Sequence, residues 1–349
     1  SIMGGILTTG CEPPIPWIGG KTILLPVIKR IIPEGQNKFV DVFGGGGSVS
    51  LSGKYAPIQI YNDYNQHLTN FYTIIKTRCR DLVNAFAGAF GKDGKLVEEI
   101  EQRIFANIRD QFNACCLVFY RADTFEEFYD SILKMLNKAG SIQDKQHVWM
   151  NSMLAWELYK RREKDPELFD ALMFLILMKC SFSATGKSWA CKCTNAETAI
   201  HLINDASRVF QHIAVDNRDC LDIIRLHDSP TTIFYCDPPY YMAEKCYSGV
   251  PLFGDMMHKA LHDALLKCKA KVIISYNECD FIDELYSEDK WFIMRLDRPH
   301  SMLLHSNPGA VYHEVIIANF DIFEMYYGNG QLTLMDMSDT INEEGRIIL

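Results

Sequence analysis

Apolar residues recur along this chain with two different periods. Short runs rich in β-branched and aromatic residues, bounded by Gly, Pro, Asn or Asp, occupy residues 38–43, 58–61, 213–216, 232–236, 271–276, 291–296 and 311–320. Such runs predict strands. Residues 21–32, 63–77, 198–210, 255–268 and 280–286 instead space their apolar positions as one face of a helix. Alternation of the two predicts an α/β fold with a parallel sheet. Between residues 79 and 197 the pattern changes to Phe, Asn, Glu and Lys at helical spacing with few strand runs. This stretch reads as an inserted, mostly helical subdomain, so the sheet domain is assembled from 11–78 and 198–320. Within the insert, residues 168–178 form the most apolar stretch and predict a buried helix. The tail, 321–349, shows no clear period and is left unplaced.

Composition narrows the class. Hydrophobic residues make up 48% and charged residues 23% of the 349, an ordinary globular balance. No apolar run reaches the ~18 residues that a membrane helix needs. Residues 1–10 lack the basic start and long apolar block of a signal peptide, Met3 reads as the natural start after a Ser1-Ile2 remnant, and a cytoplasmic location is expected. The 12 cysteines are irregularly spaced and read as reduced thiols. Cys191, Cys193, Cys180 and His201 lack paired C-x-x-C spacing, and no metal site is expected. His258 and His262 lie four apart on a predicted helix with no third ligand, which reads as a solvated face. The net charge of −9 argues against a nonspecific nucleic-acid coat but leaves room for a local basic cleft.

Three motifs carry chemistry. Asp237-Pro238-Pro239-Tyr240 follows directly on the apolar run 232–236, so a strand delivers it to the carboxyl edge of the sheet, where open α/β folds bind ligands. Paired prolines fix φ and remove two N–H donors. A carboxylate, a fixed carbonyl and an aromatic face then make an acceptor cluster for an exocyclic amine. A plain strand-ending turn is an equal reading of the tetrapeptide alone. The second motif, Asp41-Val42-Phe43-Gly44-Gly45-Gly46-Gly47-Ser48, ends a strand and is expected to open a helix. Lys54 lies too far on for a phosphate loop. Asp63, at the end of the second strand, stands where a ribose diol is held. Together these indicate a nucleoside-bearing cofactor without a pyrophosphate. The third motif, Pro16-Trp17-Ile18-Gly19-Gly20-Lys21, places a tryptophan and a cation at the entrance of the first helix.

In this order the motifs resemble those of the Dam-like DNA adenine methyltransferases. That family runs from a proline-led W-x-G-G-K through a glycine loop, an N-D-x-N strand end and a recognition insert to D-P-P-Y. Here these are residues 14–21, 41–48, Asn62 to Asn65, the insert, and Asp237 to Tyr240. Residues 272–277 and 313–319 are similar to the family's later strands, and 181–188 (Ser-Phe-Ser-Ala-Thr-Gly-Lys-Ser) to a segment of its phage and prophage branch.

The resemblance implies a Rossmann-like S-adenosylmethionine-dependent sheet with a helical DNA-recognition insert. It implies methyl transfer to the amino group of an adenine flipped out of double-stranded DNA. Asp237, Pro238, Pro239 and Tyr240 would be catalytic. Trp17, Lys21, Phe43, Gly44, Gly45, Gly46, Gly47, Ser48, Asp63, Asp219, Cys220 and Asp237 would bind the cofactor, with Lys21 on its carboxylate, Asp63 on its ribose, and Asp219 and Cys220 flanking its adenine. In residues 181–193, Ser183, Lys187, Ser188 and Lys192 are candidate DNA contacts, since cations there are free of acidic neighbours. A solvated loop is the plain alternative. Lys160-Arg161-Arg162 reads equally as a phosphate contact or a mixed surface. An RNA adenine methyltransferase and an inactive binding module with the same fold are the competing functions.

Overall fold

The period-two runs become one sheet in the computed structural model, which describes residues 10–17, 21–89, 164–180, 196–241, 253–299, 311–328 and 341–349. Its strands are β1 (Lys38–Asp41), β2 (Ile58–Asn62), β3 (Ile213–Asp216), β4 (Thr232–Cys236), β5 (Lys271–Asn277), β6 (Phe292–Pro299), β7 (Val311–Ala318) and β8 (Ile347–Ile348). Their order is β3-β2-β1-β4-β5-β7-β6-β8. The pairs from β3 through to β5 are parallel, and β7 is antiparallel to both β5 and β6. The chain thus winds outward from β1 in one direction and from β4 in the other. The crevice of such a sheet opens at the carboxyl ends of the strands flanking that reversal.

Alternation decides which helix covers which face. Phe39, Ile233, Tyr235, Ile273, Ile316 and Ala318 point to one side and pack with Val27, Ile28 and Ile31 of α1 (Leu25–Ile31) and with Ile322 and Tyr326 of α9 (Ile322–Gly328). Val40, Phe234, Cys236, Val272, Ile274, Val315 and Ile317 point to the other. There they meet α6 (Cys220–His227), α7 (Asp255–Lys267) and α8 (Asp280–Leu285). Side chains in a strand alternate faces, so strands covered on both sides must be apolar throughout, as β4 is.

Described residues of 1–12, 19–69 and 212–349 form this compact unit, and those of 13–18 and 70–211 form a second. The second unit contains most of α2 (Gln66–Thr77), with α3 (Cys79–Ala89), α4 (Pro166–Cys180) and α5 (Ala196–Phe210). Its interior is aromatic: Phe174 meets both Trp17 and Phe71, and Tyr72 stacks on Phe210 at 4.5 Å. The apolar α4 is buried from Phe169 through Ile176, as its sequence predicts. Among the described residues no helix is long and apolar enough to cross a membrane.

Three expectations are corrected. The glycine run opens only a short 3-10 turn, Ser50–Ser52, because Gly53 and the extended run to β2 follow at once. His258 is not on a solvated face: it is fully buried, and its Nδ1 lies 2.7 Å from the Tyr276 hydroxyl. The tail has a place in the sheet unit, since α9 packs beside α1 and β8 adds an edge strand parallel to β6. Arg346 fastens that edge through Glu278 and Asp297.

Candidate active site

The site is assembled at the carboxyl ends of β1, β2 and β4. Asp237 is the first residue after β4, and its Oδ1 lies 3.0 Å from Nζ of Lys21. The same Nζ stands 4.4 Å from the centroid of the Tyr240 ring. Lys21 is only 4% exposed, so the cation is held between carboxylate and ring rather than displayed to solvent. Asp237 keeps 18% of its side chain exposed, and among the described residues Lys21 is its one polar partner, leaving Oδ2 open. Burial pushes the Asp237 carboxyl up to about 6, with Lys21 opposing the shift. It is therefore ionised at neutral pH and able to accept a hydrogen bond.

Tyr240 and Tyr241 leave the proline pair under control of the neighbouring strands. The Tyr240 hydroxyl donates to Oε2 of Glu314, 3.2 Å away on β7. The backbone N–H of Tyr241 donates to Oδ1 of Asn277 at 3.0 Å, and Nδ2 of Asn277 donates to the Tyr241 carbonyl at 3.2 Å. Glu314 and Asn277 are register partners across β5 and β7.

The glycine loop lies against β2. Gly44 donates to the Asn62 carbonyl at 2.7 Å, and the Tyr61 hydroxyl donates to the Gly45 carbonyl at 2.6 Å. Gly45 and Gly47 have φ of +52° and +81°, conformations an L side chain rarely adopts. A Cβ on Gly44 would come within 2.2 Å of the Tyr61 ring. Gly44→Ala should therefore displace the loop and cost about 1–3 kcal/mol of overpacking strain, measurable by urea unfolding. A wild-type midpoint in that variant would refute the close approach.

Asp63 accepts from the Gly45 N–H at 2.9 Å and from the Asn65 N–H at 2.8 Å, so it pins the loop from the β2 side. Burial raises its carboxyl to about 6. Asp41, at the end of β1, is 1% exposed. Its Oδ2 accepts from Ser50 Oγ at 2.6 Å, and its Oδ1 has no partner. Burial pushes Asp41 up to about 7, opposed by the Ser50 bond and reinforced by Asp237 and Asp63. Three carboxyls with elevated affinity for protons thus share one sheet edge.

The expected residues fall into distinct places. Lys21, the loop from Phe43 to Ser48, Asp63 and Asp237 lie in the sheet unit at one edge, whereas Trp17 belongs to the helical unit. Lys21 sits on Asp237 through its Nζ. Asp219 caps α6, accepting from the Leu221 N–H at 2.8 Å. Cys220 is buried with its thiol raised to about 12, by burial first and then by Asp219, so only its backbone is available to a ligand. Ser183, Lys187, Ser188, Lys192, Cys191, Cys193 and Lys160 to Arg162 lie outside the described residues. Glu314 and Asn277 were not singled out by sequence reasoning. The one available signal was a glutamate opening the otherwise apolar run Val315-Ile316-Ile317.

The doubly wound sheet thus carries the glycine loop, Asp63 and Asp237-Pro238-Pro239-Tyr240 at the carboxyl ends of its central strands, the edge where open α/β sheets bind ligands. The D12 class N6 adenine-specific DNA methyltransferase model matches residues 17–299, and the chain belongs to that family. It is 35% identical over 109 residues to a DNA adenine methylase of Salmonella typhi, a stretch covering 31% of this chain and 37% of that protein. The DNA adenine methylase of Escherichia coli strain K12 is 34% identical over the same length and the same shares. A type II methyltransferase, M1.LlaDCHI, of Lactococcus lactis subsp. cremoris is 29% identical over 131 residues, 32% of this chain and 44% of its own. The chain therefore matches well under half the length of these relatives.

Proposed function

We propose that this chain moves a methyl group from S-adenosylmethionine to the exocyclic amino group of an adenine flipped out of duplex DNA, at a specific sequence. The observation that carries this is the carboxylate of Asp237, whose Oδ1 is held by Lys21 while Lys21 also faces the Tyr240 ring, and whose Oδ2 has no partner among the described residues. An adenine amine is a weak nucleophile because its lone pair is delocalised into the ring. Donating one hydrogen to Oδ2 and the other to the Pro238 carbonyl favours the pyramidal, electron-rich amine of the transition state, an electrostatic effect. Stacking on Tyr240 would return about 1–3 kcal/mol of the cost of taking the base out of the duplex.

The donor fits the glycine loop and the carboxyl-rich edge. S-adenosylmethionine, when bound, supplies an electrophilic methyl on a sulfonium, and its sulfonium and ammonium charges suit Asp63, Asp41 and Asp237. The loop N–H groups and Asp63 would hold its nucleoside, and the residues of the loop from Phe43 to Ser48 would line it. Asp219 and the Cys220 backbone are assigned to the same ligand. In-line positioning is then most of what the protein must supply.

The insert, 79–197, is proposed to read the DNA, with Ser183, Lys187, Ser188 and Lys192 on phosphates. The likeness of 181–188 to the phage and prophage branch supports placing the chain there, and a cytoplasmic site of action accords with its cysteine usage. Calorimetry with S-adenosylmethionine should show one site per chain with no nucleic acid present. Labelled transfer to unmethylated DNA, read by mass spectrometry, should yield N6-methyladenine. Absence of binding at millimolar cofactor, or label in RNA alone, would overturn the proposal.

A further inference from the structure

Tyr240 would be the stacking face of the proposed reaction, and what fixes that face comes from two strands beyond β4. Glu314 on β7 is 1% exposed, and its two oxygens have separate duties. Oε2 accepts the Tyr240 hydroxyl at 3.2 Å, while Oε1 accepts Nε of Arg298 on β6 at 2.6 Å. The Arg298 guanidinium in turn lies 4.7 Å from the centroid of the Tyr312 ring. Lys21 stands over the Tyr240 ring and binds Asp237. The tyrosine is thereby held by its hydroxyl and faced by a cation, and its neighbour Tyr241 is clamped through its backbone by Asn277.

A buried ion pair gains little stability over apolar packing of the same volume, because desolvating both charges offsets their attraction. Apolar residues at 298 and 314 would close the sheet equally well. They would leave the buried Tyr240 hydroxyl without this acceptor and its ring less firmly oriented. We infer that Glu314, with Arg298 as its counter-ion, is a positioning residue that orients the Tyr240 ring for the target base. This rests on the methyl transfer proposed above.

The test is a double-variant cycle on the single-turnover rate of methyl transfer to a duplex oligonucleotide, with cofactor affinity measured separately by calorimetry. Glu314→Ala should slow the step about 10- to 100-fold, the range of direct couplings between residues in contact. Tyr240→Phe, which removes only the hydroxyl, should slow it similarly. The double variant should be no slower than the slower single. Glu314→Gln, which keeps an acceptor for the hydroxyl, should recover most of the rate, and cofactor affinity should stay within about twofold throughout. Losses that multiply in the double variant, or a Gln variant as slow as the Ala variant, would overturn the inference. Should Glu314→Ala fail to fold, Tyr240→Phe and Glu314→Gln decide it, and full speed in Tyr240→Phe would refute it. Wild-type protein that transfers no methyl group would instead overturn the reaction itself, and the inference with it.

Discussion

Asp237→Ala should lower the rate of methyl transfer by at least about 10²–10³-fold, the usual consequence of removing one preorganised electrostatic group from a reacting centre. Two effects combine. The target amine loses the open Oδ2 as acceptor, keeping only the Pro238 carbonyl. Lys21 also loses its counter-ion: its Nζ would remain over the Tyr240 ring with no carboxylate at 3.0 Å, close to where the amine gains positive charge. The defect should appear in kcat and kcat/KM together, as for an interaction made chiefly in the transition state. Cofactor affinity should largely persist, because the glycine loop and Asp63 remain. Asp237→Ala/Lys21→Met should recover part of the loss by removing the unmasked cation. A folded single variant with near-normal turnover would refute the mechanism.

The sheet was legible because strands covered on both faces read as short, nearly continuous apolar runs. Every strand from β1 to β7 lies on a run that apolar residues and flanking turn residues mark out. Helix starts were less exact: α1 begins at Leu25 rather than at residue 21, with Pro26 in its first turn, where a missing N–H costs nothing. The turn at Ser50–Ser52 was overread as a helix, since glycine run and strand are too close in sequence for one. Asp237, Asp63 and the glycine loop could be found because each is a local motif at a strand end. Glu314 and Asn277 act through register across β5 and β7, a relation between residues far apart in sequence. His258 was misplaced for a similar reason. Its helix shows a mixed pattern, and the Tyr276 hydroxyl, brought in by β5, helps make burial of an imidazole acceptable. The β8 edge depends on Arg346 meeting Glu278, where burial raises the carboxyl but Arg346 and Arg295 together hold it below the usual range. Periodicity carries no trace of such a partner.

Asp41→Asn should raise stability at pH 8 and give little or no gain at pH 5. In the fold the Asp41 carboxyl is raised to about 7 from an ordinary 3.8, first by burial and then through Asp237 and Asp63. A raised carboxyl binds its proton more tightly in the folded than in the unfolded chain. Its contribution to stability is therefore fully present below the unfolded value and is lost as pH rises through about 7. A shift of this size corresponds to roughly 4 kcal/mol across that window. Asparagine cannot ionise, so it escapes the loss. It does place an amide where Oδ1 is now buried without a partner, and an unmade hydrogen bond there costs about 1–3 kcal/mol. At pH 8 the gain exceeds the cost, and the variant should be the more stable by about 1–3 kcal/mol. At pH 5 the folded carboxyl is protonated but the unfolded one is mostly ionised, so roughly 1.6 kcal/mol of the loss has already occurred, and the variant should lie between wild-type stability and about 1 kcal/mol below it. Urea unfolding of both proteins at the two pH values decides the matter. An equal stability difference at pH 5 and pH 8 would mean that Asp41 is ionised throughout, and the carboxyl-rich edge would then hold one more fixed negative charge for its cationic ligand than is described here.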